Sequence, residues 1–208
     1  MAMPDAPDMM PLVAPDPEPS PRDRFRRVLH DRAGCTDDVV WYLDQARPTF
    51  ATDPQVRLAV EELVDHLGRF LQFLPERDEH LGCSIWSSPT AARLAIVVEE
   101  PSVARTRLPQ FARLRDGILT SGTIHLEAQA SVLCVICGED TRGSLEEALT
   151  VRRASDQLRL VTLGGLVTLA RLVESGQVTH LAAVQILRPA RALADPLISL
   201  LGRVRSSS

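Results

Sequence analysis

Residues Ser131–Cys137 read SVLCVIC, a run without a charged side chain that Gly138 closes. A strand apolar at every position, rather than at alternate ones, is a strand buried on both faces. Whatever sheet holds it needs cover above and below, so helices on both sides of a sheet become the expected architecture.

The rest of the chain supplies them. Val56, Val60, Leu63, Leu67, Phe70 and Leu74 step by three and four residues, one apolar stripe on a helix that Asp53 caps, Pro54 opens and Pro75 stops. Phe25, Val28 and Leu29 predict a short helix closing near Gly34, and Val39, Val40 and Leu43 a second one opening at Thr36-Asp37. Two strands are expected around 80–86 and 93–99, joined by Ser87-Ser88-Pro89-Thr90 in hairpin fashion, with Pro101 blocking further pairing. A helix from about Pro109 to Leu119, another over 145–152, a strand at 158–162, a helix ending at Gly176 and a last helix capped by Thr179 complete the order. The expected fold class is α/β, a mixed β-sheet flanked by helices, with an N-terminal helical extension. Residues 1–20 hold six prolines and four acids and no base, which reads as an acidic tail outside any core.

Charge and cysteine usage narrow the function classes. The net charge is −4, so the chain is no polycation. All 23 basic residues are arginine, which excludes a phosphate loop that needs lysine and any Schiff-base lysine. No run of about 18 apolar residues is present, so no membrane span is expected. The N-terminus lacks a basic stretch followed by an apolar core, and Cys35, Cys83, Cys134 and Cys137 read as reduced thiols of a cytoplasmic protein.

The segments GCSIWSSPTAARLAIVVEEPS and VRRASDQLRLVTLGGLVTLARLVESGQVTHLAAVQILRP, taken with the order of elements over about residues 55–190, resemble the restriction-endonuclease-like PD-(D/E)xK nuclease superfamily. That resemblance implies a divalent cation held by an Asp on the first hairpin strand and an acid near the end of the second, with a lysine two residues further on. A helix glutamate often joins them. Here Glu99 takes the second acid position, Pro101 stands where the lysine is expected, and the first acid falls at about Cys83 in a strand, HLGCSIW, that has no carboxylate. Glu62, or its neighbour Glu61, is the candidate helix acid. The resemblance therefore implies a degenerate centre, with Glu99 and Glu62 as the catalytic candidates and Glu99 the metal candidate. No cofactor is expected, and Mg²⁺ or Mn²⁺ enters only if the centre is active. The chain then divides into a Pro-rich acidic tail at 1–21, the helical extension at 22–50, the restriction-endonuclease-like domain at 51–190 and a C-terminal tail at 191–208.

Other motifs weigh less. Glu99 and Glu100 point to opposite faces of a strand, so they are not a matched acid and base. Cys134-x-x-Cys137 has zinc or redox spacing, but its odd offset inside a strand parts the thiols, and buried small apolar residues are the expected outcome. The five histidines show no metal spacing. Arg105, Arg107, Arg113 and Arg115 cluster within eleven residues against Asp116 alone, a candidate phosphate-contacting patch or else a solvated face.

The expected function is thus a catalytically inactive nuclease-like protein that binds DNA or RNA, or a partner protein in a DNA-handling or defence assembly. The alternatives are an active metal-dependent nuclease centred on Glu99, and a purely structural or homodimerising protein.

Overall fold

The computed structural model describes residues 20–90, 92–101, 103–104, 106–107, 110–111, 129–138, 158–190 and 193–205. Helix α1, Pro21–Arg32, starts where the Ser20 side chain accepts from the Asp23 amide. Helix α2, Thr36–Ala46, comes next, and a single 3₁₀ turn, Arg47–Thr49, leads on to α3, Pro54–Phe70. Asp53 caps α3 by accepting from the amides of Gln55 and Val56, the role its sequence position predicts.

The far end of α3 differs from expectation. The apolar stripe continues to Leu74, yet the helix stops at Phe70, because Gln72 turns left-handed at φ 66° and the Phe73 amide bonds back to the Gly68 carbonyl. The chain then enters a strand, β1, Leu74–Asp78, in which Leu74 is exposed and Pro75 sits on the sheet edge, where its missing N–H costs nothing. β2, Cys83–Ser87, and β3, Ala92–Glu99, form the expected hairpin. Pro101 does not merely end pairing. It opens a helix, α4, whose described residues between 101 and 111 are helical, and the Ala104 amide bonds to the Glu100 carbonyl. That start is earlier than the one expected at Pro109. The helix expected over 145–152 and the acidic tail at 1–19 lie outside the described residues.

β4, Gln129–Ile136, and β5, Leu158–Thr162, complete a five-stranded sheet in the order β1-β2-β3-β4-β5. Its first three strands pair antiparallel and its last three parallel. Thr162 and Thr179 cap the next two helices, α5, Leu163–Glu174, and α6, His180–Ile186. The segment expected to trail off as a C-terminal tail instead holds α7, Asp195–Arg205, which packs on α5 with Ala194 and Ile198 buried.

Both faces of the sheet are covered, as the apolar run requires. On one side Trp86, Leu94, Ile96, Leu133, Val135 and Val161 meet α1, α2, α3 and α5. On the other, Ile85, Ala95, Val97, Val132, Cys134 and Leu160 meet Ala104 and Phe111 of α4. Cys134 and Cys137 fall on opposite sides, and all four cysteines are free. The approach of α3 to the sheet depends on Gly68, where a Cβ would stand 2.6 Å from the Trp86 ring.

Candidate functional site

The site begins where β3 outruns its neighbour. The β2–β3 pairing ends at Ser84↔Ile96, whereas β3 stays paired with β4 as far as Glu99↔Ile136. Beyond Ile96, β3 therefore shows one edge that no other strand among the described residues pairs. Arg57, reaching from α3, fills it: its Nη2 donates to the Val98 carbonyl at 3.2 Å and to Glu99 Oε2 at 2.7 Å. Arg107 of α4 donates through Nη1 to the other oxygen of Glu99 and through Nε to Gln110 at 3.1 Å. The Glu99 side chain is fully buried, while both arginine side chains remain about 40 % exposed.

A groove of about 90 Å³ lies over this arrangement, lined by Arg57, Glu61 and Asp65 of α3, Arg77 of β1, the start of β2 at Cys83 and Ser84, the end of β3, and Arg107. Arg77 ties Glu61 at 3.0 Å to the turn between β1 and β2, where it also donates to the Gly82 carbonyl. Asp65 accepts from Trp86 Nε1 at 2.8 Å. Burial pushes its carboxyl up to about 6, against the lowering effect of that bond. Burial likewise pushes the Cys83 thiol up to about 11, so at neutral pH it offers no charge to a metal.

Glu62 is not part of this groove. It is buried under α1, bonded by Arg26 through Nε at 2.7 Å and Nη2 at 2.9 Å, and by Arg22. Burial alone would raise its carboxyl, but the bonds and charges of Arg26 and Arg22 outweigh that and hold it below the usual range. The helix acid that the fold brings beside Glu99 is its neighbour Glu61. Of the arginine patch, Arg107 is in the groove, and Arg105, Arg113 and Arg115 lie outside the described residues. Nothing in the sequence singles out Arg57 or Arg77. The fold brings Arg57 to a partner 42 residues away, which no local pattern encodes.

Glu99 presents no free oxygen to a divalent cation. Hard cations need free carboxylate oxygens, and both oxygens of Glu99 already accept from guanidinium groups. Cys83, at the start of β2, is a neutral thiol, and Pro101, two residues after Glu99, starts α4. Among the described residues no three His, Cys, Asp or Glu side chains gather to hold a metal ion.

A second cavity, about 700 Å³, lies across the carboxyl ends of the parallel strands, between Leu43, Phe50 and Val60 on one side and Pro101, Cys137 and Leu163 on the other. Glu100 lines it, so the neighbouring acids do part to different sides as their spacing predicts. The Thr162 hydroxyl at its edge is engaged with Asp195 and the Gly165 amide.

No family model matches the chain, and no curated protein matches it. A solved structure of the restriction endonuclease FokI bound to DNA is similar at a TM-score of 0.48 and 9% identity, over 81% of this chain and 33% of that one. The chain thus spans about a third of that protein's length, and a likeness of this size carries no argument about function. No helix among the described residues is long and apolar enough to cross a membrane.

Proposed function

We propose that this chain is a nuclease-like protein that binds rather than cuts, with nucleic acid as its ligand. The observation that carries the reading is Glu99: the strand-end acid is retained, but its two oxygens are occupied by Arg57 and Arg107. The order α3, β1, the β2–β3 hairpin, α4, β4, β5 supports the nuclease-like part, since, β1 apart, it follows the order helix, hairpin, helix, strand, strand of the superfamily that the sequence resembles. Arginines in place of metal ligands retain the capacity to hold phosphate while removing the means to activate water. Four free cysteines, three of them buried, suit a reducing compartment such as the cytoplasm.

The test is a cleavage assay on single- and double-stranded DNA and RNA with Mg²⁺ or Mn²⁺, run beside Glu99→Gln. The expected result is no cleavage by either folded protein, together with salt-dependent binding to nucleic acid. Metal-dependent cleavage that Glu99→Gln abolishes would make the protein an enzyme with a rearranged centre.

A docking face for a partner protein or a second copy is the other reading. It is favoured by Trp41 on α2, 60% exposed, and by Val28 on α1, also exposed. Light scattering on the full chain and on Trp41→Ser separates it: an association lost in the variant supports it, and a monomer in both removes self-association.

A further inference from the structure

The groove over Glu99 shows where a ligand would engage and through which atoms. We propose that Arg57 and Arg107 form a metal-independent clamp for one backbone phosphate of a duplex nucleic acid, with Glu99 as its buried anchor. This rests on the binding reading above and gives it a site.

Four observations converge. First, one carboxylate holds both guanidiniums, so they are oriented before any ligand arrives and lose little freedom on binding. Second, the anchoring leaves donors over. Among the described residues Arg57 Nε and Nη1 and Arg107 Nη2 carry no hydrogen bond, and both side chains are partly open to solvent. These are single donors rather than an intact fork, and a phosphate oxygen accepts from each of them in a charge-assisted bond.

Third, the groove is too small for a whole small molecule, whose sites run to about 300–1,000 Å³, and about 90 Å³ suits a single group reaching in from a larger ligand. Fourth, two arginines on one glutamate leave the clamp one positive charge over. Of the other acids lining the groove, Glu61 is neutralised by Arg77 and Arg22, and Asp65, bonded by Trp86 with its carboxyl raised to about 6, draws on that excess only as it ionises. A duplex, rather than a single strand, is indicated by the scarcity of aromatics, 4% of the chain, which leaves little for bases to stack on.

The arginine pair on Glu62 shows that this is not a property of any buried glutamate. There Arg26 spends Nε and Nη2 on Glu62 and Nη1 on Asp23, while Arg22 divides Nε and Nη2 between Glu62 and Glu61. Among the described residues Arg22 keeps only Nη1 over, on a side chain that is 18% exposed, and Arg77 joins it on Glu61, so three acids face three arginines and that cluster turns no excess positive charge toward an incoming phosphate.

The experiment titrates the full chain with short fluorescent duplexes of DNA and of RNA at low salt, in EDTA and in Mg²⁺. It compares the parent with Arg107→Lys, Arg57→Lys and the control Arg26→Lys. Each lysine keeps a cation against its glutamate while losing the guanidinium's remaining donors, and circular dichroism verifies folding.

The expected result is equal affinity in EDTA and Mg²⁺, a loss of about tenfold in Arg107→Lys or Arg57→Lys, and a change within about twofold in Arg26→Lys. Binding that needs Mg²⁺ would overturn the clamp, because a cation would then be doing the work assigned to the arginines. EDTA-resistant binding that ignores both groove variants would also overturn it while leaving nucleic-acid binding in place. No binding to either duplex at low salt would remove both the clamp and nucleic acid as ligand.

Discussion

Glu62 and Glu99 are both buried and are each held by two guanidinium groups, yet their partners come from different places. Both partners of Glu62 belong to α1, so that cluster fastens one helix to α3. The partners of Glu99 come from α3 and α4 and meet across the edge of β3 beyond Ile96, which no other strand among the described residues pairs. The same chemistry therefore serves as a staple in one place and as a floor under an open groove in the other. Burial of the acid does not distinguish the two; the number of guanidinium nitrogens left over among the described residues does, three around Glu99 against one around Glu62.

Removing the arginines gives the largest separation. Arg57→Ala with Arg107→Ala leaves the fully buried Glu99 without either of its counter-charges, and should cost about 3–5 kcal/mol in urea unfolding. Adding Glu99→Gln to that protein should restore part of the loss, because no charge is then left unpaired. Arg22→Ala with Arg26→Ala should cost less, about 1.5–3 kcal/mol, since freeing α1 lets water reach Glu62. Hydrogen exchange should show the second loss concentrated in α1 and the first spread through the sheet. Equal global losses with no local signature in α1 would break the distinction between staple and floor.

What the sequence reveals of these two clusters depends on how local each signal is. The caps Asp53, Thr162 and Thr179 act within three residues of themselves, and the run Ser131–Cys137 declares its burial residue by residue. The end of α3 is hidden because Gln72 takes a left-handed conformation usually marked by glycine, while Leu71 and Phe73 keep the composition apolar. β1 reads LPERD, charged and interrupted by proline, which is how an exposed edge strand avoids further pairing and also how it escapes notice. α7 is legible in principle, since Asp195-Pro196 repeats the opening of α3 at Asp53-Pro54. Glu99 itself stands out as a strand-end acid. Its arginine from α3 does not, nor do the arginines of Glu62, because those pairings span about 40 residues and exist only once the helices pack.

A smaller effect separates the two acids that α3 sends toward the sheet and toward α1. Asp65 has its carboxyl raised to about 6, so the folded protein holds its proton more tightly than the unfolded chain does. Its contribution to stability is present below the ordinary carboxylate value and is lost as pH rises through about 6. Asp65→Asn, accepting from Trp86 through its amide oxygen, should be more stable than the parent at neutral pH by about 1–2 kcal/mol, the groove-facing part of the side chain limiting the gain. The difference should vanish at acid pH. In a Trp41→Phe background, where Trp86 is the remaining tryptophan, emission should also titrate near pH 6 and cease to do so in Asp65→Asn.

The smallest effect is the opposite slope from Glu62, three residues earlier on the same helix. Arg26 and Arg22 hold its carboxyl below the usual value of 4.5, so its stabilisation is complete above that value and drains away as pH falls through the lowered one. Moving from neutral pH toward acid, the parent should first gain stability as Asp65 takes up its proton and then lose it as Glu62 does. Denaturant midpoints measured from about pH 7 to pH 3 should therefore pass through a maximum. Glu62→Gln should flatten the acid limb and move the limb near pH 6 only slightly toward acid, because the Glu62 charge is a minor contributor to the raised Asp65 carboxyl, whereas Asp65→Asn should remove the limb near pH 6. If either substitution abolished both limbs, the two carboxylates would be titrating as one coupled group, and the α1 staple would not be independent of the groove floor.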